Sequence, residues 1–253
     1  MKYVVEFSDI TREDKSMVGA KAFSLGLMKQ QGIPVPSGFV VTVGSLEIFK
    51  KDKDIEDEIL ASFDLLNCEE AAVRSSANSE DSDAASWAGQ FESYLSVKKE
   101  NLIKAIQNCY DSLDSDRVAE YAKRQGVEKD ALKMGVIVQK MVQSEKSGVM
   151  FTVNPVTKNK SEILIEAVQG LGEKLAQGEV TPDNYIVNKI NHGLISHTHG
   201  EQEGELILSE GNIQDLAALG LLIEDIFKFP QDIEWGIEKN TVFILQARPI
   251  TTL

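Results

Sequence analysis

The segment IEWGIEKNTVFILQARPI (233–250) constrains the fold of this chain more than any other stretch. Two alternating runs flank Lys239-Asn240, the pattern of a β-hairpin. A two-residue loop would set Glu234 opposite Leu245 and mix polar with apolar residues on both faces. A three-residue loop over 239–241 sets Ile233 opposite Ala247, Trp235 opposite Leu245 and Ile237 opposite Phe243. One face is then wholly apolar. Because a one-residue slip turns every side chain to the other face, hydrophobic matching predicts the second register.

That register has a chemical consequence. The second face carries Glu234 beside Gln246, with Arg248 two residues on. A carboxylate, an amide oxygen and a guanidinium side by side suit a Mg²⁺-nucleotide: hard oxygens hold the metal and Arg donates in bidentate fashion to phosphate. The same pattern also fits a solvated face with one Glu–Arg pair.

Charge narrows the partners. Twenty-six Lys and Arg face forty Asp and Glu, a formal net charge of −14. Such a chain repels nucleic acid and anionic membranes at long range, so neither is expected as a partner. Any phosphate ligand must be met by locally concentrated cations. No apolar run approaches the ~18 residues of a membrane span. The opening MKYVVEFSDI lacks the layout of a secretory signal. Cys68 and Cys109 stand in no metal or CxxC spacing. They read as reduced thiols of a cytoplasmic protein.

A chain of 253 residues makes one large domain or two small ones. A strand is expected at 2–7. A helix is expected at 16–31, capped by Ser16 and ended by Gly32, with Val18, Ala22, Leu25 and Met28 on its apolar face. IPVPSGFVVT turns into a strand, with 40–42 buried. A helix follows at 45–66, then a buried strand AAVRSS (71–76), a small polar loop (77–90), and the strand FESYLSV. Helices are expected at 99–113 and 115–125. Strands are expected at 135–142, 147–155, 162–170 and 181–189, and a helix from Asn212 to about Phe229 carries Leu216, Leu219, Ile223 and Phe227 on one face. The class is α+β, with antiparallel pairs dominating the second half.

Other segments offer phosphate chemistry, each with a plainer alternative. Lys21 lies in a glycine-flanked helix, which also describes a solvated lysine. Arg74 ends an apolar strand, where a salt bridge to Glu80 or Asp81 would serve as well. The loop 77–90 is rich in small residues that let backbone N–H groups approach an anion, but it carries Glu80, Asp81 and Asp83. Glu173 follows Gly170-Leu171-Gly172 at a helix start and can itself fill the N-terminal anion position. His197 and His199 alternate, so on a strand they share one face; a metal pair and a polar hairpin both fit.

Taken together, GAKAFSLGLMKQQGIPVPSGFVVT, AVRSSANSEDSDAASWAGQFESYLSV, VIVQKMVQSEKSGVMFTVNPVT, EAVQGLGEKLAQGEVTPDNYIV and DIEWGIEKNTVFILQARPIT resemble the ATP-binding domain of the phosphoenolpyruvate synthase and pyruvate phosphate dikinase family, which rifampicin phosphotransferases share. The stretches cover well over half the chain. The resemblance implies an ATP-grasp fold of two subdomains, 1–138 and 139–253, with nucleotide bound between mainly antiparallel sheets. It implies ATP and Mg²⁺ as cofactors. Lys21 and Arg74 would hold phosphates, and the loop after Arg74 would close over them. The backbone of Gln139, Lys140, Met141 and Val142 would meet the adenine. Glu234 and Gln246 would ligate Mg²⁺, and Arg248 would touch a phosphoryl oxygen. Glu166 and Glu173 are further candidates, for ribose or metal.

The resemblance further implies transfer of the β-phosphoryl group of ATP to a histidine on a swivelling domain. That domain is not in this sequence, and SHTHG does not fit its signature. The chain is then either an excised domain or one part of a split enzyme, with the phosphohistidine carrier as its partner. The stretch between Thr42 and AVRSS is also shorter than in the longer relatives. Two other readings stand beside this one: a kinase acting alone on a small acceptor, and a non-catalytic nucleotide-binding regulatory module.

Overall fold

A computed structural model describes residues 2–45, 53–78, 81–82, 85–86, 91–128, 132–201 and 206–251. The expected loop 77–90 and the KKDKD run therefore lie largely outside the described residues. The chain divides into two compact units, Met1–Gln30 with Pro36–Met141, and Gln31–Val35 with Val142–Leu253.

The first unit contains strands β1 (Val4–Glu6), β2 (Gly38–Val41), β3 (Glu70–Ala77), β4 (Asp81–Ser82), β5 (Ala85–Ser86), β6 (Ser93–Lys98) and β7 (Met134–Lys140). Its helices are α1 (Lys15–Val18), α2 (Ala20–Gln30), α3 (Lys53–Leu65), α4 (Lys99–Asp111) and α5 (Asp116–Gln125). Five strands form an antiparallel sheet in the order β1-β2-β7-β3-β6, and β4 pairs with β5 in a short ribbon. One face of the larger sheet, with Val73, Val136 and Val138, packs on Ile55, Ile59, Leu102, Ile106 and Val118 from α3, α4 and α5. Helix α5 matches the expected 115–125 to within one residue. Ser115 accepts the Val118 N–H at its start, and Gly126 ends it with φ +67°.

One expectation needs correction here. The single helix over 16–31 is two, broken at Gly19, whose φ is +82°. The apolar face is as expected, with Val18, Ala22, Leu25 and Met28 all buried. The break has a packing cause: a Cβ on Gly19 would lie 1.9 Å from the Ser76 carbonyl oxygen. Glycine alone allows both that dihedral and that approach.

The second unit contains β8 (Lys146–Phe151), β9 (Glu162–Gln169), β10 (Asp183–Asn188), β11 (Leu194–Thr198), β12 (Gln231–Glu238) and β13 (Thr241–Pro249), with α6 (Glu173–Ala176) and α7 (Glu210–Phe227). The strands form one antiparallel sheet in the order β11-β10-β9-β8-β12-β13. Helix α7 opens with a capping box between Ser209 and Asn212, two residues before the expected start. Its buried stripe is Ile213, Leu216, Ala217, Gly220 and Ile223, whereas Leu219 and Phe227 are half-buried. Alternate residues of the sheet, Met150, Ile165, Tyr185, Ile233, Trp235 and Ile244, are fully buried and make this unit's core.

The terminal hairpin uses both registers. From Gln231 to Glu234 the pairing is the expected one: Ile233 faces Ala247 and Glu234 faces Gln246. The ladder then shifts at Glu234/Trp235, so Trp235 faces Ile244 and Ile237 faces Val242, not Leu245 and Phe243. Leu245 is the extra residue of a β-bulge. The loop is correspondingly two residues, Lys239 and Asn240, with φ of +50° and +60°. Positive φ at both positions marks the type I′ turn whose twist suits a tight hairpin. The bulge lets one hairpin keep that turn at its tip and a matched apolar face at its base.

Candidate active site

The base of the hairpin and its neighbours carry a polar row across four strands. Gln246 on β13 lies opposite Glu234 on β12, Glu234 opposite Val149 on β8, and Val149 opposite Glu166 on β9. Directly paired residues point to one side of a sheet, so the three polar side chains share a face. Two residues along the strands, Asp232 lies opposite Arg248 on that same face. Arg248 donates from Nε (2.8 Å) and from Nη2 (2.7 Å) to Asp232 Oδ2.

Burial and neighbouring like charge act on the carboxylates of this face. Burial pushes the Asp232 carboxyl above its ordinary value; the Arg248 guanidinium opposes that, and Glu234 adds to it. Burial also raises the Glu166 carboxyl, and the Asp232 charge raises it further. A divalent cation on this face would counter the burial and like-charge repulsion that raise Asp232 and Glu166. The donors are hard carboxylate and amide oxygens, which fit Mg²⁺. Glu234 and Gln246 would be the residues to hold it, since they lie directly opposite each other in the row.

Asp232 is the residue that sequence reasoning missed. Its signal was available: in Asp232-Ile233-Glu234 the two acids alternate around a buried Ile, and the register that pairs Glu234 with Gln246 also pairs Asp232 with Arg248.

In the first unit, Lys21 is the second residue of α2 and half-buried. The start of that helix is docked on the end of β3, where Ser76 Oγ accepts the Ala22 N–H at 3.0 Å. Arg74 precedes Ser76 by two residues on β3, so both point to the face on which α2 begins. Gln139 on β7 lies opposite Ala72 and belongs to the same face as Arg74. Its side chain is 2% exposed, and its Nε2 has no hydrogen-bond partner among the described residues. A buried amide left unpaired costs about 1–3 kcal/mol, so this donor suits a ligand acceptor.

The segment Gln139–Val142 is only partly available for recognition by its backbone. The Lys140 N–H is donated to the Ser37 carbonyl (2.8 Å) and the Met141 N–H to the Glu70 carbonyl (3.1 Å). Among the described residues nothing accepts the Val142 N–H. Glu166 falls in the polar row, whereas Glu173 is exposed on the one-turn helix α6, outside the row.

The family described as pyruvate phosphate dikinase, AMP/ATP-binding domain, matches residues 52–253. This chain belongs to that family. Curated relatives align with 95–100% of the chain. A probable phosphoenolpyruvate synthase of Methanocaldococcus jannaschii is 36% identical, over 100% of this chain and 27% of its own length. The rifampicin phosphotransferase of Bacillus cereus is 35% identical, over 99% of this chain and 36% of its own. An uncharacterized phosphotransferase of Bacillus subtilis is 34% identical, over 95% and 34%. The chain thus spans about a quarter to a third of these relatives. Among solved structures, the D-alanine–D-alanine ligase of Coxiella burnetii covers 93% of this chain and 48% of its own at 12% identity, with a TM-score of 0.46. That likeness is too loose to carry a functional inference. Within the AMP/ATP-binding domain family, the α+β class with antiparallel sheets is the expected one, and it is the class of this structure. Among the described residues no helix is long and apolar enough to cross a membrane.

Proposed function

We propose that this chain is the ATP-binding component of a dikinase-type phosphotransferase, with an ATP-grasp architecture, and that it passes the β-phosphoryl group of Mg-ATP to a histidine of a carrier domain or carrier protein. The observation that supports this most is the row Glu166, Glu234, Gln246 with the Asp232–Arg248 pair on the same face. It sets hard oxygens beside a fixed guanidinium in a chain of the AMP/ATP-binding family.

In this reading Glu234 and Gln246 hold Mg²⁺, which supplies positive charge to the phosphates when bound. Arg248, oriented by Asp232, donates to an oxygen of the transferred phosphoryl group. Lys21 and Arg74 donate to the other phosphate oxygens. Gln139 and the Val142 N–H serve the base, and Glu166, within the row, is a further metal or ribose ligand. The carrier imidazole forms a P–N bond at the β-phosphorus as the P–O bond to the α-phosphate breaks, so that AMP leaves and the carrier holds the β,γ-pyrophosphoryl group. Cleavage of the β–γ P–O bond, with the γ-phosphoryl group passing to water or phosphate, then leaves the β-phosphoryl group on the histidine. Positioning and charge neutralisation account for most of such catalysis. We read the compartment of this chain as cytoplasmic.

The test is a product assay with the purified chain, ATP and Mg²⁺, with and without a histidine carrier domain taken from a relative. AMP formation that requires the carrier, with acid-labile phosphate on it, supports the proposal. ADP formed on a small alcohol without any carrier would replace it by a stand-alone kinase. Binding of ATP with no turnover in either case would leave a regulatory module.

A further inference from the structure

The opposite face of the six-stranded sheet carries a second cluster, at the edge formed by β10 and β11. Asp183, His197 and His199 each offer a ligand atom, and these atoms all lie within 4.8 Å of one another. Asp183 starts β10 opposite Ala167, whereas its neighbour Asn184 lies opposite Glu166. Asp183 therefore points away from the polar row. His197 lies opposite Tyr185 on β11, on the same side as Asp183.

The cluster is held from several directions. The Tyr185 hydroxyl donates to Asp183 Oδ2 (3.1 Å) and itself accepts the Leu208 N–H. The Gly200 N–H donates to Asp183 Oδ1 (2.9 Å), directly after His199. A Cβ on Gly200 would lie 2.1 Å from the Thr181 carbonyl oxygen, so only glycine lets this segment close onto β10. His197 is thus placed by strand pairing and His199 by the Gly200 anchor. The two imidazoles meet edge to face, with centroids 4.4 Å apart.

We propose that Asp183, His197 and His199 bind a late first-row divalent cation, with Zn²⁺ as the best fit. Two imidazoles and a carboxylate are a common donor set for such ions and leave a fourth position open. His197 Nε2 and Asp183 Oδ2 are hydrogen-bonded at 3.1 Å; the metal would replace that bond with little movement, because the edge of a tetrahedron of ~2 Å metal–ligand bonds is roughly 3.3 Å. The Asp183 carboxylate has about four lone-pair directions; its hydrogen bonds to Tyr185 and Gly200 leave about two, one of which His197 now fills. His199 is exposed and can turn to complete the set. Bound metal would pin the edge strand β11 to β10. The proposal is independent of the nucleotide reading, since the two groups of residues lie on opposite faces.

The experiment uses the full chain in excess Mg²⁺, which occupies hard-oxygen sites and leaves imidazole sites open. Co²⁺ is titrated as a spectroscopic probe and then displaced with Zn²⁺. One equivalent should bind at micromolar concentration, with a ligand-field band of a low-coordinate site. His199→Ala, on an exposed position, should weaken binding at least about tenfold, and His197→Ala should do the same. Absence of a one-equivalent site at micromolar Co²⁺, or affinity unchanged in His199→Ala, overturns the proposal. The His199→Ala result decides even if His197→Ala fails to fold.

Discussion

Arg248 places two of its donors, Nε and Nη2, on the single oxygen Oδ2 of Asp232, the residue directly opposite it in the ladder. The pair fixes the plane of the guanidinium, which a lysine at the same position would not do. Two substitutions separate charge from orientation. Arg248→Ala should lower carrier-dependent AMP formation by about 100-fold or more, the usual cost of losing one transition-state donor. Asp232→Asn keeps the cation but loosens its anchor, and a smaller loss of about tenfold is expected. Initial rates at saturating ATP distinguish them; near-normal transfer by Arg248→Ala would remove it from the mechanism.

Glu234 is proposed as a metal ligand, so Glu234→Gln should act through the cation. Mg²⁺-dependent ATP binding should weaken at least about tenfold, while any metal-free binding stays the same. Calorimetry of ATP binding across a Mg²⁺ titration reads both. Equal weakening with and without Mg²⁺ would argue against ligation.

Gly19 and Gly32 share a positive φ, +82° and +77°, but differ in space. A Cβ on Gly32 meets nothing within 4 Å, whereas on Gly19 it meets the Ser76 backbone. Gly32→Ala should cost about 1 kcal/mol from dihedral strain alone. Gly19→Ala should cost about 2 kcal/mol more, because backbone must move. It should also weaken ATP binding, since the same contact positions the start of α2 and hence Lys21. Urea unfolding of both variants measures the difference, and equal losses would refute the packing account.

Alkaline pH should destabilise the first unit. Burial, reinforced by the Glu92 carboxylate, pushes the Cys109 thiol from 9.0 up to about 12, with Lys21 opposing. The folded state therefore keeps a proton that the unfolded chain releases. The associated stability is complete below pH 9 and lost as pH rises toward 12. Burial raises the neighbouring Tyr110 hydroxyl in the same direction. Urea midpoints between pH 8 and pH 11 should fall, and Cys109→Ala should flatten the slope even though its lost volume lowers stability throughout. An unchanged slope would show that Cys109 does not carry the effect.

The sequence by itself determined most of the elements and the polar face of the hairpin. Alternation in 231–248 demands that Ile233 and Ala247 point one way and Glu234 and Gln246 the other, because burying one face fixes the register. The helix expected at 115–125 is equally local: its Ser115 cap and left-handed stop at Gly126 need no distant partner. Tertiary structure decided what depends on contacts far apart in the chain. The bulge at Leu245 reconciles a two-residue turn with the matched base, and the break at Gly19 comes from its seat on Ser76. The convergence of Glu166 with Glu234 spans three strands, and the meeting of Asp183 with His197 spans two. Periodicity tells a residue which side to face; only strand order tells it which neighbours it will find there.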